Sequence, residues 1–272
     1  MASPTDGSDR VAAVIPARDE QERIGDTVRA AHGLPGVDLV VVVDDGSVDD
    51  TAAAARQAGA RVFRHARNRG KGAAMETGAE GVRGFEEYER RSGADVVSRH
   101  LLFLDADLGV TAGAATPLIE PVRAGAADMT IARFPQTRAR LGGHGFVVRL
   151  ARDGIRRATG WEAEQPLNGQ RCLTRRAFEA ARPLAPGFGV ETGLTIDLLC
   201  RGFTVLEVDV AMDHRATGTD VRAQLHRARQ FVDVARTLAV REVRGAGIRR
   251  GRGVLPERGA VHRVAGKQRE KH

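Results

Sequence analysis

Residues 101–110 read LLFLDADLGV, four apolar residues running straight into Asp105-Ala106-Asp107. Two carboxylates one residue apart repel each other, and burying them unpaired costs several kcal/mol. Either they face water at a loop or a cation lies between them. The apolar run reads as a buried strand. Asp105 and Asp107 sit at alternate positions and reach one point only if the strand ends between them, which Gly109 makes feasible.

Working outward, the same grammar repeats. VAAVI (11–15) is an apolar run ending at Pro16, and DLVVVVDD (38–45) is nearly continuous β-branched sequence. Such runs suit strands covered on both faces of a parallel sheet. ARVFRH (60–65) is a further short strand. Helix-compatible stretches separate them. One runs from Glu20 to His32, stopped by Gly33 and Pro35. A second starts with Ser47 as N-cap and Asp50 at the capping-box position and ends at Gly59. A third spans Lys71 to Arg91, interrupted by glycines. Strands alternating with helices of this length specify an α/β fold with a doubly wound, mostly parallel sheet. In such sheets ligands bind beyond the carboxyl ends of the strands. Three polar clusters fall there: Pro16-Ala17-Arg18-Asp19-Glu20, Asp44-Asp45-Gly46-Ser47 and Asp105-Ala106-Asp107.

The second half is less regular. ADMTIARF (127–134) reads as a strand, followed by the loop PQTRARLGGHG. Residues 146–158 and 188–201 read as helices, and FTVLEVDVAMDH (203–214) as a strand. Residues 221–240 are amphipathic, with Val221, Leu225, Ala228, Val232, Ala235 and Ala239 on one stripe. That stripe either packs on the body or lies on an anionic membrane surface.

The chain has 272 residues and a net charge of +7. Residues 241–272 hold ten of the 42 Lys/Arg and three of the 35 Asp/Glu, so the tail accounts for the excess. We read residues 1–10 as a disordered start, 11–240 as one domain, and 241–272 as a basic flexible tail. The tail lacks the aromatic residues with which single-strand binders stack bases, and no nucleic acid is expected. No apolar run approaches the roughly 20 residues of a membrane span. The N-terminus has no hydrophobic signal core. Cys172 and Cys200 have no metal-like spacing. The expected location is the cytoplasm, with the tail and amphipathic helix permitting contact with the inner face of a membrane.

A hard divalent cation takes oxygen ligands and often a substrate phosphate. Asp105 and Asp107 suit Mg²⁺ or Mn²⁺ bridging a diphosphate. His214, in AMDHRATG directly after a strand, is a further candidate ligand and favours Mn²⁺. HARNRGKGAAMETG (65–78) is a loop entering a helix, where backbone N–H groups and Lys71 attract anions. The Walker motif, G-x-G-x-x-G after the first strand, G-x-S-x-G and H-E-x-x-H are all absent, which disfavours the corresponding nucleotide, dehydrogenase, hydrolase and zinc-protease readings.

PARDEQERI, VVVDDGSVDDT, NRGKGAAMETG and FLDADLG, in this order, resemble the nucleotide-sugar half of glycosyltransferase family 2. The resemblance covers roughly residues 11–240 and implies a GT-A fold. The donor half is residues 11–110 and the acceptor half 111–240. It implies that Pro16, Ala17 and Glu20 line the nucleoside pocket, that Asp44 or Asp45 contacts the base, and that Lys71 faces the phosphates. Asp105, Ala106 and Asp107 are similar to the metal-binding D-x-D motif. QPLNGQRCLTRRAF, PLAPGFGVETGLTIDLL and VDVAMDHRATG resemble the glucosyl-3-phosphoglycerate synthases and their bacterial relatives. That similarity implies Glu191 beside the sugar and His214 completing the metal site. It places acceptor contacts at Gly142, Gly143, His144, Asn168 and Gly169.

The resemblance therefore implies a metal-dependent hexosyltransferase with Glu191, Asp107 and Lys71 in catalytic roles. The donor would be of the UDP-glucose or GDP-mannose type, and the acceptor phosphate-bearing, such as 3-phosphoglycerate. Polyprenyl phosphate at a membrane surface is the alternative acceptor. A sugar-phosphate nucleotidyltransferase is the alternative from another class, although such enzymes carry a Gly- and Arg-rich first loop that this chain lacks. Glu191 or Asp197 would be the general base in an inverting reaction. A homodimer is a further expectation.

Overall fold

The computed structural model describes residues 9–134, 144–212 and 230–241, with His144 described in its backbone alone. Seven strands form one sheet: β1 (Val11–Ala17), β2 (Val37–Asp44), β3 (Arg61–Arg64), β4 (His100–Phe103), β5 (Met129–Arg133), β6 (Arg171–Leu173) and β7 (Val205–Asp209). Their order is β3-β2-β1-β4-β6-β5-β7. β6 is antiparallel to both β4 and β5, and every other pairing is parallel.

β1 shows why the sheet sits at the centre. Every residue from Val11 to Ile15 is fully buried. Val11, Ala13 and Ile15 face one core with α1 (Ile24–His32), while Ala12 and Val14 face the other with α3 (Lys71–Arg91). Each buried valine or isoleucine contributes roughly 1.5–3 kcal/mol. Pro16 does not end this strand, contrary to the sequence expectation. Val14 O accepts from Leu104 N on the β4 side, and Pro16 has the same parity. β4 pairs with β1 only as far as Val14. The missing N–H therefore faces no ladder partner.

The glycines inside α3 are close-approach positions. A Cβ at Gly78 would lie 2.3 Å from Val14 Cγ1, and one at Gly81 would lie 2.3 Å from the Phe63 ring. Bare backbone lets the helix settle on the sheet.

Three other expectations shift. α1 begins at Ile24 rather than Glu20, after a turn in which Glu20 O accepts from Arg23 N and Ile24 N. The capping box at Ser47 does not form. α2 (Thr51–Gln57) starts after Asp50, which makes no side-chain cap. Ser47 Oγ accepts instead from Asp19 N at 3.0 Å, binding the loops after β1 and β2 to each other. β7 ends at Asp209, short of the strand read to 214.

The second half contains elements the sequence did not announce: α4 (Thr116–Arg123), β6, and α6 (Arg175–Ala181). It also contains α5 (His144–Thr159) and α7 (Val190–Cys200), close to their expected positions. A last helix, α8, covers residues 230–241. α5, α7 and α8 share a small core that includes Val147, Ala151, Ile155, Ile196, Val234 and Leu238. The inward face of α8 thus differs from the expected stripe: Val232 and Ala239 are exposed, while Val234, Thr237 and Leu238 are buried. Arg241 pairs with Asp197 of α7, so the folded body extends past residue 240. Residues 1–8 and 242–272 lie outside the described residues.

Among the described residues, no helix is long and apolar enough to cross a membrane.

Candidate functional site

The sheet has a switch point between β1 and β4. From β1 the chain moves outward through β2 and β3, then returns along α3 to place β4 on the other side of β1. A cleft opens at such a reversal, at the carboxyl ends of the strands. Insertion of β6 antiparallel to β4 brings residues 168–171, at its start, to the same edge. All three polar clusters and the turn before β6 therefore converge.

β4 ends at Phe103, so the strand stops before the carboxylates rather than between them. The following turn is braced from α1. Thr27 Oγ1 donates to Ala106 O at 2.8 Å and accepts from Gly109 N at 2.8 Å. Arg23 Nη1 donates to Asp107 O at 3.0 Å. Ala106 is buried, whereas Asp105 and Asp107 are partly exposed.

Lys71, the first residue of α3, is the hub. Its ammonium lies 2.6 Å from Asp105 Oδ1 and 3.0 Å from Glu191 Oε1. Burial acts to lower the Lys71 pKa, but the charges of Asp105 and Glu191 outweigh it and hold the ammonium above the usual lysine value. Lys71 is accordingly a fixed cation, unsuited to act as a base. Asp105 Oδ2 accepts from Gln170 Nε2 at 2.9 Å. Gly169 permits this convergence: a Cβ there would lie 2.3 Å from Lys71 Nζ and 2.9 Å from Asp105 Oδ1.

Glu191, in the first turn of α7, is 8% exposed. Beneath it lies Arg171, fully buried. Arg171 donates to Glu191 O at 3.0 Å, Thr195 Oγ1 at 2.9 Å, Asn168 O at 2.9 Å and Pro166 O at 3.2 Å. Burial pushes its pKa down to about 10, against the attraction of Glu191, Glu207 and Asp105, so it stays a cation at neutral pH. The guanidinium joins the turn before β6 to the start of α7.

The two aspartates after β2 differ in what they hold. Asp44, fully buried, accepts from Ser47 N at 2.8 Å and pairs with Arg64 Nε at 3.1 Å. Asp45 faces the 65–70 loop. It accepts from Arg69 N at 2.8 Å and Gly70 N at 2.8 Å, and its Oδ1 lies 2.6 Å from His65 Nδ1. His65 Nε2 in turn lies 2.9 Å from Thr77 Oγ1. Asp45 thus sets the loop that delivers Lys71. On the β1 side, Ala17 stands in register with Asp44 and Pro16 with Val43. Glu20 N donates to Thr51 Oγ1 at 2.8 Å.

The remaining expected residues divide. Asn168 shapes its own turn, its Oδ1 accepting from Gln170 N at 2.9 Å. His144 opens α5. Gly142, Gly143 and His214 lie outside the described residues. Asp197 is not brought to Lys71: Arg241 Nε donates to it at 2.9 Å, and Arg201 lies on the same carboxylate. Gln170 and Arg171 were missed as site residues. Their signal is a polar pair set directly before the buried Cys172-Leu173.

The donor set suits a hard cation. Among the described residues each Asp105 oxygen accepts one hydrogen bond, from Lys71 Nζ or Gln170 Nε2, which leaves a second lone pair on each, and Asp107 adds another carboxylate. Among the described residues no group of three or more His, Cys, Asp or Glu is gathered for a metal. Two carboxylates with substrate phosphate are the usual complement for Mg²⁺.

Residues 12–162 match the family model described as glycosyl transferase family 2. Glycosyltransferase AglJ of Haloferax volcanii is 29% identical over 78% of this chain and 66% of its own length. Glucosyl-3-phosphoglycerate synthase of Mycolicibacterium paratuberculosis is 30% identical over 70% of this chain and 60% of its own length. The chain thus spans slightly under two thirds of these curated relatives. Among solved structures, glucosyl-3-phosphoglycerate synthase from Mycobacterium tuberculosis in complex with Mn²⁺, uridine diphosphate and phosphoglyceric acid is similar at a TM-score of 0.65 and 26% identity. That match covers 85% of this chain and 78% of the other. A complex of the same synthase with Mg²⁺ and uridine diphosphate gives a TM-score of 0.63 at 26% identity, covering 85% and 79%.

Proposed function

The chain belongs to glycosyltransferase family 2, and on that premise we propose that it transfers a hexose from a nucleoside diphosphate sugar to a phosphate-bearing acceptor. UDP-glucose is the favoured donor and 3-phosphoglycerate the favoured acceptor, by likeness to a synthase captured with Mn²⁺, uridine diphosphate and phosphoglyceric acid. The observation that carries the reading is the Lys71 bridge between Asp105 and Glu191 at the switch point of the sheet.

Asp105 and Asp107 would hold Mg²⁺ or Mn²⁺, which supplies positive charge to a departing diphosphate when bound. His214 is proposed as a third ligand. Lys71 presents a permanent ammonium to the same phosphates, fixed in advance by Asp105 and Glu191, so little reorganisation accompanies charge development. Pro16, Ala17, Glu20 and Asp44 form the nucleoside side. Asp45 acts through the 65–70 loop. Glu191 orients the sugar from the first turn of α7, its backbone held by Arg171. Gly169 and the turn before β6 form the acceptor side, with Gly142, Gly143 and His144 proposed beside them.

The test is release of UDP from UDP-glucose with Mn²⁺, with and without 3-phosphoglycerate or a short polyprenyl phosphate. Stimulation by 3-phosphoglycerate supports the proposal. Stimulation by the lipid phosphate alone replaces it with a membrane-surface transferase, a role that liposome binding lost on deletion of residues 245–272 would support. Asp107→Ala should abolish Mn²⁺-dependent turnover while leaving the melting temperature near wild type. Full activity in that variant would break the assignment. The anomer of the product decides between retention and inversion, with Glu191 as the base in an inverting reaction.

A further inference from the structure

We infer that Gln170 is a positioning residue for the proposed transfer, on which this inference rests: it fixes the Asp105 carboxylate between Lys71 and the cation position. Gln170 is 1% exposed. Among the described residues its side chain makes one hydrogen bond, from Nε2 to Asp105 Oδ2 at 2.9 Å. A carboxylate only accepts, so the contact determines which end of the amide faces Asp105. Oε1 is then turned elsewhere, buried and, among the described residues, without a partner.

A half-satisfied buried amide is a poor choice for packing alone. An apolar side chain of the same length would leave no orphaned oxygen. The backbone does not require glutamine either. Gln170 N donates to Asn168 Oδ1, and Gln170 O accepts from Ala132 N, both at 2.9 Å and both open to any residue except proline at the first. What glutamine alone adds is the amide donor aimed at Asp105.

That donor has a definite mechanical effect. Lys71 draws Asp105 Oδ1 from one side at 2.6 Å. A carboxylate held at one oxygen rotates about its terminal torsion, which is broad and roughly two-fold. Held at both oxygens, it presents its remaining lone pairs in one direction. Gln170 also follows Gly169, whose Cα lies against Lys71 and Asp105, so the turn before β6 and the donor-side carboxylate move as a unit. Outer partners of ligating carboxylates elsewhere change metal affinity or activity by about 10–100-fold.

Gln170→Met keeps length and approximate volume and removes the donor. Isothermal titration with Mn²⁺ and UDP should show an affinity lower by about 10–100-fold. In turnover, kcat should fall while KM for the acceptor changes little. The melting temperature should equal or exceed that of wild type, because the orphaned Oε1 is gone. Unchanged Mn²⁺ and UDP affinity together with a lower melting temperature would overturn the inference and leave Gln170 a packing residue. If Gln170→Met does not fold, Gln170→Asn carries the amide on an arm too short to reach Asp105. Weakened affinity in that folded variant supports the inference, and wild-type affinity overturns it. The titration needs no turnover. Absence of sugar transfer by the wild type would remove the proposed function, while the titration still decides Gln170.

Discussion

Lys71 and Glu191 meet at 3.0 Å, one from the first turn of α3 and the other from the first turn of α7. The ion pair ties α3, which follows the 65–70 loop, to α7. Since Asp105 shares the ammonium, two carboxylates from different elements are held near each other by one cation.

Lys71→Met removes that cation and leaves Asp105 and Glu191 in mutual repulsion. We expect kcat to drop about 10²–10³-fold, the usual cost of losing one preorganised stabiliser of developing charge. In metal-free buffer the melting temperature should also fall, and Mn²⁺ should restore part of it by replacing the lost charge. Scanning fluorimetry with and without Mn²⁺ reads this directly. A variant whose melting is lowered equally in both buffers would show that Lys71 serves packing rather than charge balance.

Gly169→Ala tests the same point sterically. The added methyl would lie 2.3 Å from Lys71 Nζ, the end of a flexible side chain that can swing away cheaply. Stability should therefore change little, while displacement of the ammonium by about 1 Å costs on the order of 10²-fold in rate. Wild-type kcat in the folded variant would contradict a displacement of the ammonium by the added methyl.

How much of this was legible in advance follows from burial. β1, β2 and β4 are covered on both faces, so their sequences are continuous apolar runs, and the carboxylates that follow them stand out. β6 gave no such signal. It has three residues, begins with a charged one, and its antiparallel placement is a tertiary fact. With it went Gln170 and Arg171, since a buried arginine looks the same in sequence as a solvated one. α4 was hidden by Pro117 and Pro121 inside eight residues. In α8 a stripe at helical spacing was present, but the packing of α5 and α7 selected Val234 and Leu238 instead of Val232 and Ala239. The paired aspartates at the end of β2 stand out in the sequence, whereas their division of labour depends on which way each side chain points.

Asp45→Asn addresses that division. The carboxylate holds Arg69 N, Gly70 N and His65 together, and an amide can accept at only one oxygen. We expect about 1–3 kcal/mol of destabilisation from the mismatched buried group. KM for the donor should rise several-fold because the loop preceding Lys71 loosens. Steady-state kinetics over donor concentration provides the measurement. A variant with unchanged donor KM would dissociate the loop from nucleotide binding.

The opposite end of the sheet carries a charge cluster whose pH dependence is predictable. Arg99 is 2% exposed and donates to Asp38 at 2.8 Å and to Glu89 at 2.6 Å, while Arg10 reaches Glu89 at 3.0 Å. The Arg99 hydrogen bond, with burial opposing it and Arg10 assisting, holds the Glu89 carboxyl down at about 2, from an ordinary value of 4.5. A depressed folded-state pKa means stability fully present above about 4.5 and lost as pH falls through 4.5 towards 2. Glu89→Gln should lower stability at pH 7 by about 1–2 kcal/mol, reduced from the buried-pair figure by the partial exposure of the carboxylate. Melting curves of both proteins from pH 7 to pH 2.5 should then converge, as protonation gives the wild type the same neutral side chain. A gap that stays constant down to pH 2.5 would mean that Glu89 contributes shape and not charge.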